Sequence, residues 1–251
     1  MEQTLLLVVV GLLGWGIAWV TRCHPAPPRF RNTARSGKRA LLATSIACVA
    51  TTALIPVLLP AFKRYGGFRE FREIGFGDIG FMALLGIPVL AVWLVTPAVF
   101  MFRDKEPLAS AGVGTRNLWQ AVVLGVVLSA LCCGTLVWKN LPKVGLKHLL
   151  LLVPKFQTAL GEEFFFRGYL QNRLMAWFGK FRGWLAASAI MVLVHLPTLF
   201  FVREFGFQDA AAWCATHFAV SLLMGWLMWR TGNIVAPVLL HTFANWINVL
   251  R

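Results

Sequence analysis

Six residues in the C-terminal part of the chain have side chains suited to chemistry and fall within apolar runs: Glu162, Glu163, Arg167, His195, His241 and Asn245. Ionisable groups in such runs cost free energy in lipid, which makes them candidates for function. Their spacing sorts them. Glu163 and Arg167 are four residues apart, so on a helix they share a face and can neutralise each other. Glu162 is then turned about 100° away and must meet a group from another helix. His241 and Asn245 are also four apart and point the same way, as a patch of two donors.

A carboxylate beside a histidine can take a proton from water and make a nucleophile. A second histidine and an amide can donate hydrogen bonds to a developing oxyanion, and a low-dielectric cavity strengthens those donors. Together these are the parts of a peptide-bond hydrolase working with activated water. Two other readings use the same residues. One is a zinc protease with Glu162 or Glu163, His195 and His241 as ligands. The other is a transporter or immunity-type binding protein in which the carboxylates form a proton or ligand site. The zinc pattern HExxH and the serine pattern GxSG are absent from the sequence. Gly75-Phe76-Gly77-Asp78 fits the GxGD pattern of intramembrane aspartyl proteases. That chemistry needs a second membrane aspartate, whereas Asp104 and Asp209 fall in loops. Asp78 is expected to cap a helix.

The run Glu162-Glu163-Phe164-Phe165-Phe166-Arg167 resembles the EExxxR motif of the CPBP intramembrane proteases. These are bacterial relatives of the type II CAAX prenyl endopeptidase, also called the abortive-infection family. His241-Thr242-Phe243-Ala244-Asn245 matches the family's HxxxN motif, and Arg230-Thr231-Gly232-Asn233-Ile234 with Pro237 is also similar. The middle motif, FxxxH, keeps His195 but has Met191 in place of the phenylalanine. The resemblance covers about residues 150–251; the first three spans carry no recognised motif. It implies that Glu162 activates water with His195 and that His241 and Asn245 form the oxyanion hole. Glu163 and Arg167 would be supporting residues. It also implies a metal-independent glutamic mechanism with no cofactor, membrane-anchored peptide or protein substrates, and a bacterial plasma membrane.

The elements that must position these groups follow from composition. Of 251 residues, 58% are apolar and only 14% are charged, against roughly 25% charged in a soluble domain. That excludes a disordered chain and a secreted disulfide scaffold, and it leaves too few charges to cover a soluble surface. The expected fold class is all-α: a polytopic membrane bundle. The net charge of +14 would suggest nucleic acid in a soluble protein. Here the basic residues lie mostly between apolar runs, where they meet anionic headgroups. The expected partner is therefore the bilayer, and not nucleic acid. The cysteines contain no CxxC pair and are expected to be neither disulfides nor metal ligands.

A spanning helix needs about 20 mostly apolar residues. Eight runs qualify, at roughly 4–20, 40–62, 79–102, 117–138, 154–174, 183–201, 210–229 and 234–250. The first has no basic flank or cleavage site and reads as a retained helix. No soluble domain fits between the spans. The expected division is an N-terminal set of spans, 1–149, and a catalytic helical core, 150–251. Lys and Arg favour the odd-numbered loops, which places those loops on the cytoplasmic side. At 1.5 Å per residue, Glu162 and His195 lie about 18 Å from the cytoplasmic ends of their spans, Asn245 about 16 Å and His241 about 10 Å. Groups from three helices at similar depth suggest one shared polar cavity.

Overall fold

The computed structural model describes residues 30–64, 76–140 and 144–247, together with Gly16 and Pro28. All regular structure among the described residues is helical. The first expected span, 4–20, lies outside the described residues apart from Gly16.

The chain runs through α1 (Thr33–Arg64) and α2 (Phe76–Arg103), then a short 3-10 helix (Leu108–Ala111), then α3 (Leu118–Asn140) and α4 (Leu146–Leu150). Next comes α5 (Leu152–Glu162), which passes without a break through a π-helical segment (Glu163–Gln171) into α6 (Asn172–Phe178). Gly179, at φ +88°, ends this rod. The remaining elements are α7 (Lys180–Leu193), α8 (Leu196–Phe201), α9 (Phe207–Thr231) and α10 (Val235–Ile247).

The α5–π–α6 rod is the axis of the molecule. All nine residues of the π segment are buried, the three consecutive phenylalanines included. Consecutive residues on a helix point in different directions, so a run buried all round must be enclosed by protein on every side. α1, α2, α7 and α9 supply that enclosure. Trp93 of α2 meets the rings of Phe165 and Phe166 at centroid distances of 4.8 and 5.0 Å. α1 contributes Ala40, Ala43 and Ala47, all fully buried in the same cluster. Small residues of this kind let membrane helices approach closely. At Gly183 the α7 backbone crosses so near Leu174 and Met175 of the rod that a Cβ does not fit.

The segment between α2 and α3 dips into the bundle. The Ala111 carbonyl lies against Gly168, in the middle of the π segment. Gly112 turns the chain out again at φ +72°. Three polar side chains fix this segment. Asn172 Nδ2 donates to the Ser110 carbonyl at 3.0 Å. Asn233 Nδ2 donates to the carbonyls of Gly114 and Arg116. Arg173, fully buried, pairs with Glu106 and stacks on Tyr169.

The described residues are thus those of an all-helical membrane protein, and the expected count of eight spans is not reproduced among them. Four helices there are long and apolar enough to cross a membrane: Thr33–Pro60, Phe76–Arg103, Lys180–Phe201 and Phe207–Thr231. The apolar parts of α3 and α10 are shorter, at Leu118–Cys132 and Val235–Ile247. The expected fifth span is the central rod. It carries Glu162, Glu163, Arg167 and Arg173 because protein, and not lipid, surrounds it. Asp78 stands inside the first turn of α2, where its carboxylate complements the helix dipole.

Candidate active site

The site forms where the rod, the break after α7 and the middle of α10 meet. Glu162 and Glu163 sit at the junction of α-helix and π-helix, and their side chains part there. Glu163 is fully enclosed (0% exposed), whereas Glu162 keeps 15% of its side chain accessible. Only Glu162 is therefore placed to meet a substrate. Wide-turned π segments recur at functional sites because they redirect side chains that a regular helix would keep in line.

Glu163 is held from two directions. Its Oε2 pairs with Arg167 Nε at 3.2 Å, the i,i+4 contact expected from the spacing. Its Oε1 lies 2.7 Å from His241 Nδ1. A carboxylate only accepts, so Nδ1 carries the hydrogen and donates it. Arg167 reaches on to α9, donating from Nη2 to Ser221 Oγ at 3.2 Å. The pair is thus one end of a network joining the rod, α9 and α10.

His241 turns its other nitrogen towards Glu162, with Nε2 3.8 Å from Oε2. His195 approaches the same carboxylate from the opposite oxygen, with Nε2 3.7 Å from Oε1. Both separations exceed a direct hydrogen bond. Glu162 accordingly meets its partners across the bundle, as its position off the Glu163–Arg167 face requires.

His195 does not lie inside a continuous helix. It occupies the turn between α7 and α8, and Pro197 follows it. There the backbone tightens: the His195 N–H donates to the Val192 carbonyl at 3.1 Å, one residue short of the α-helical partner. The Met191 carbonyl, left without that backbone donor, accepts from His195 Nδ1 at 2.7 Å. It is the Met191 backbone that holds the imidazole, while the Met191 side chain, in the FxxxH position, packs in the buried core. The hydrogen on Nδ1 leaves Nε2 to face Glu162.

Asn245 is half-buried one turn beyond His241 on α10, and its side chain makes no hydrogen bond among the described residues. The structure therefore brings Glu162, Glu163, Arg167, His195 and His241 together and places Asn245 one turn along α10 from His241. Sequence reasoning missed Ser221 and the aromatic wall behind His195, formed by Trp213. Among the described residues no group of three His, Cys, Asp or Glu side chains is arranged to hold a metal ion.

Two carboxylates, a guanidinium and two imidazoles thus gather in one largely buried cluster of a membrane helix bundle, an arrangement of groups able to exchange protons. Residues 144–247 match the family model of the type II CAAX prenyl endopeptidase Rce1-like proteins, in agreement with the motifs. It is a protease family, which supports peptidase activity in this chain. No curated protein and no solved structure matches the chain.

Proposed function

We propose that the protein is an intramembrane glutamic endopeptidase, acting on membrane-anchored peptides or protein tails near the cytoplasmic face of a bacterial-type plasma membrane. Residues 150–251 form the catalytic helical core, and 1–149 contribute transmembrane helices without a recognised motif. The observation that carries this reading is the convergence of two imidazole Nε2 atoms, from different elements, on the one accessible carboxylate.

The reaction follows from the roles each group can fill. Glu162, with His195 beside it, takes a proton from a water molecule. The resulting hydroxide attacks the scissile carbonyl carbon, and the carbonyl oxygen takes up the negative charge. His241 and the Asn245 amide donate hydrogen bonds to that oxygen. The proton held by Glu162 and His195 passes to the departing nitrogen as the C–N bond breaks. His241 can act as a donor at Nε2 only with hydrogens on both nitrogens. The Glu163 carboxylate behind it compensates that positive charge. Two carboxylates against one guanidinium leave the cluster one positive charge short, which a protonated His241 supplies. No cofactor or metal enters this scheme.

The test is cleavage of a membrane-tethered peptide by purified protein, compared with Glu162→Gln. The amide keeps size and hydrogen bonding but does not accept the proton, so turnover is expected to vanish while thermal stability is kept. Near-normal turnover in Glu162→Gln removes the reading. A wild-type enzyme silenced by a chelator and restored by zinc replaces it with the zinc one.

A further inference from the structure

Three rings stand in a row on the α9 side of the site. The indole of Trp213 lies 5.5 Å from the His195 ring, centroid to centroid, at 37°. On α9 itself, His217 stacks on the same indole at 3.5 Å and 13°. Trp213 and His217 are four residues apart, so the helix places one above the other. The His217 Nδ1–H also donates to the Trp213 carbonyl at 2.8 Å, which fixes the second ring over the first.

His195 has need of such a wall. Its backbone is tied to Val192 and Leu199, but its ring has one hydrogen bond behind it, to Met191. A single hydrogen bond sets one distance but leaves the ring free to swing about the N···O line. The rigid indole packed beside the ring, at a tilt of 37°, limits that freedom, and Nε2 then stays aimed at Glu162.

We propose that Trp213 is a positioning residue for His195, and that His217 acts as the clamp that holds Trp213, as a stacking ring and not as a proton carrier. This rests on the reading of Glu162 and His195 as the water-activating pair. Planarity is the property at issue, so the decisive variants differ in it. Trp213→Phe keeps a flat face. Trp213→Leu keeps apolar bulk without one. His217→Phe keeps the stack without a titrating nitrogen.

Two readouts are needed. The first is steady-state cleavage of the tethered peptide. Loss of ring orientation is expected to lower kcat about a hundredfold in Trp213→Leu, with KM little changed. Trp213→Phe and His217→Phe should each stay within about threefold of wild type, on the same grounds of preserved geometry. The second is ring-nitrogen NMR of histidine-labelled protein in micelles, with the His195 signals assigned by their loss in His195→Gln. His195 should show a single tautomer, with hydrogen on Nδ1, in wild type and Trp213→Phe. It should show averaged tautomers in Trp213→Leu. An unchanged His195 spectrum in Trp213→Leu overturns the proposal. A kcat loss in His217→Phe as large as that in His217→Ala overturns the clamp and makes His217 a proton carrier. The spectra decide the question even where no cleavage is seen, so failure of the proposed activity and failure of this inference are separate results.

Discussion

Glu162 and Glu163 are neighbours in sequence and differ in everything that matters chemically. Glu163 is sealed between Arg167 and His241, while Glu162 is accessible and faces two Nε2 atoms. The division was legible because i,i+4 spacing binds Glu163 to Arg167 and so frees Glu162. That Glu163 would also hold His241 was not legible, since the contact joins residues 78 apart in the chain. Removing one member of a buried pair leaves the other charge stranded, at a cost of about 3–5 kcal/mol. Glu163→Ala and Arg167→Ala are each expected to lower folded yield and melting temperature. The double variant should lose less than the two single losses added together. Strict additivity in thermal melts would show that the two do not act as a pair. Asn245 is expected to behave differently, because an oxyanion donor acts on charge present only in the transition state. Asn245→Ala should lower kcat about a hundredfold or more, with substrate affinity kept. A raised KM as its sole defect would assign Asn245 to substrate binding.

At the scale of elements, the site depends on two departures from regular helix. One is the π segment, the other the break at His195. The break had a signal in the sequence: Pro197 has no N–H to continue the helix and disfavours helical backbone before it. The expected span 183–201 runs straight through that signal, because hydropathy does not register a missing donor. The π segment had a weaker one. Glu163 to Gln171 holds both charges and aromatics on all sides, a sign of enclosure, but nothing in residue type distinguishes an i→i+5 ladder from i→i+4. Where the 3-10 helix meets this segment, Gly168 has no room for a side chain against the Ala111 carbonyl. Gly168→Ala is therefore expected to push the 3-10 helix outward, with a loss of about 1–3 kcal/mol as for other overpacked positions. Gly114→Ala, at an open position in the same connection, is the control and should melt like wild type. Equal melting of both variants in the same detergent would show that the segment yields without cost.

At the scale of the molecule, the family match begins at residue 144, yet the enclosure of the rod does not. The first half supplies Ala40, Ala43, Ala47 and Trp93 to the cluster around Phe164, Phe165 and Phe166. It also supplies Glu106, the partner of Arg173. The expected split at 149 to 150 follows motif and hydropathy, and neither records which face of a helix needs covering. In a bilayer these losses are unequal. Lipid tails can replace Trp93 against the phenylalanines at the cost of packing only. They cannot replace Glu106, whose loss leaves a fully buried guanidinium without its carboxylate. A fragment of residues 144–251 expressed alone is therefore expected to give no monodisperse peak in size-exclusion chromatography. Co-expression with a fragment of residues 1–143 should restore the peak. If the stranded charge costs more than the lost packing, Arg173→Met within the lone fragment should recover part of the folded yield. A lone fragment that is monodisperse and melts like the full chain would show that residues 144–251 close their own core.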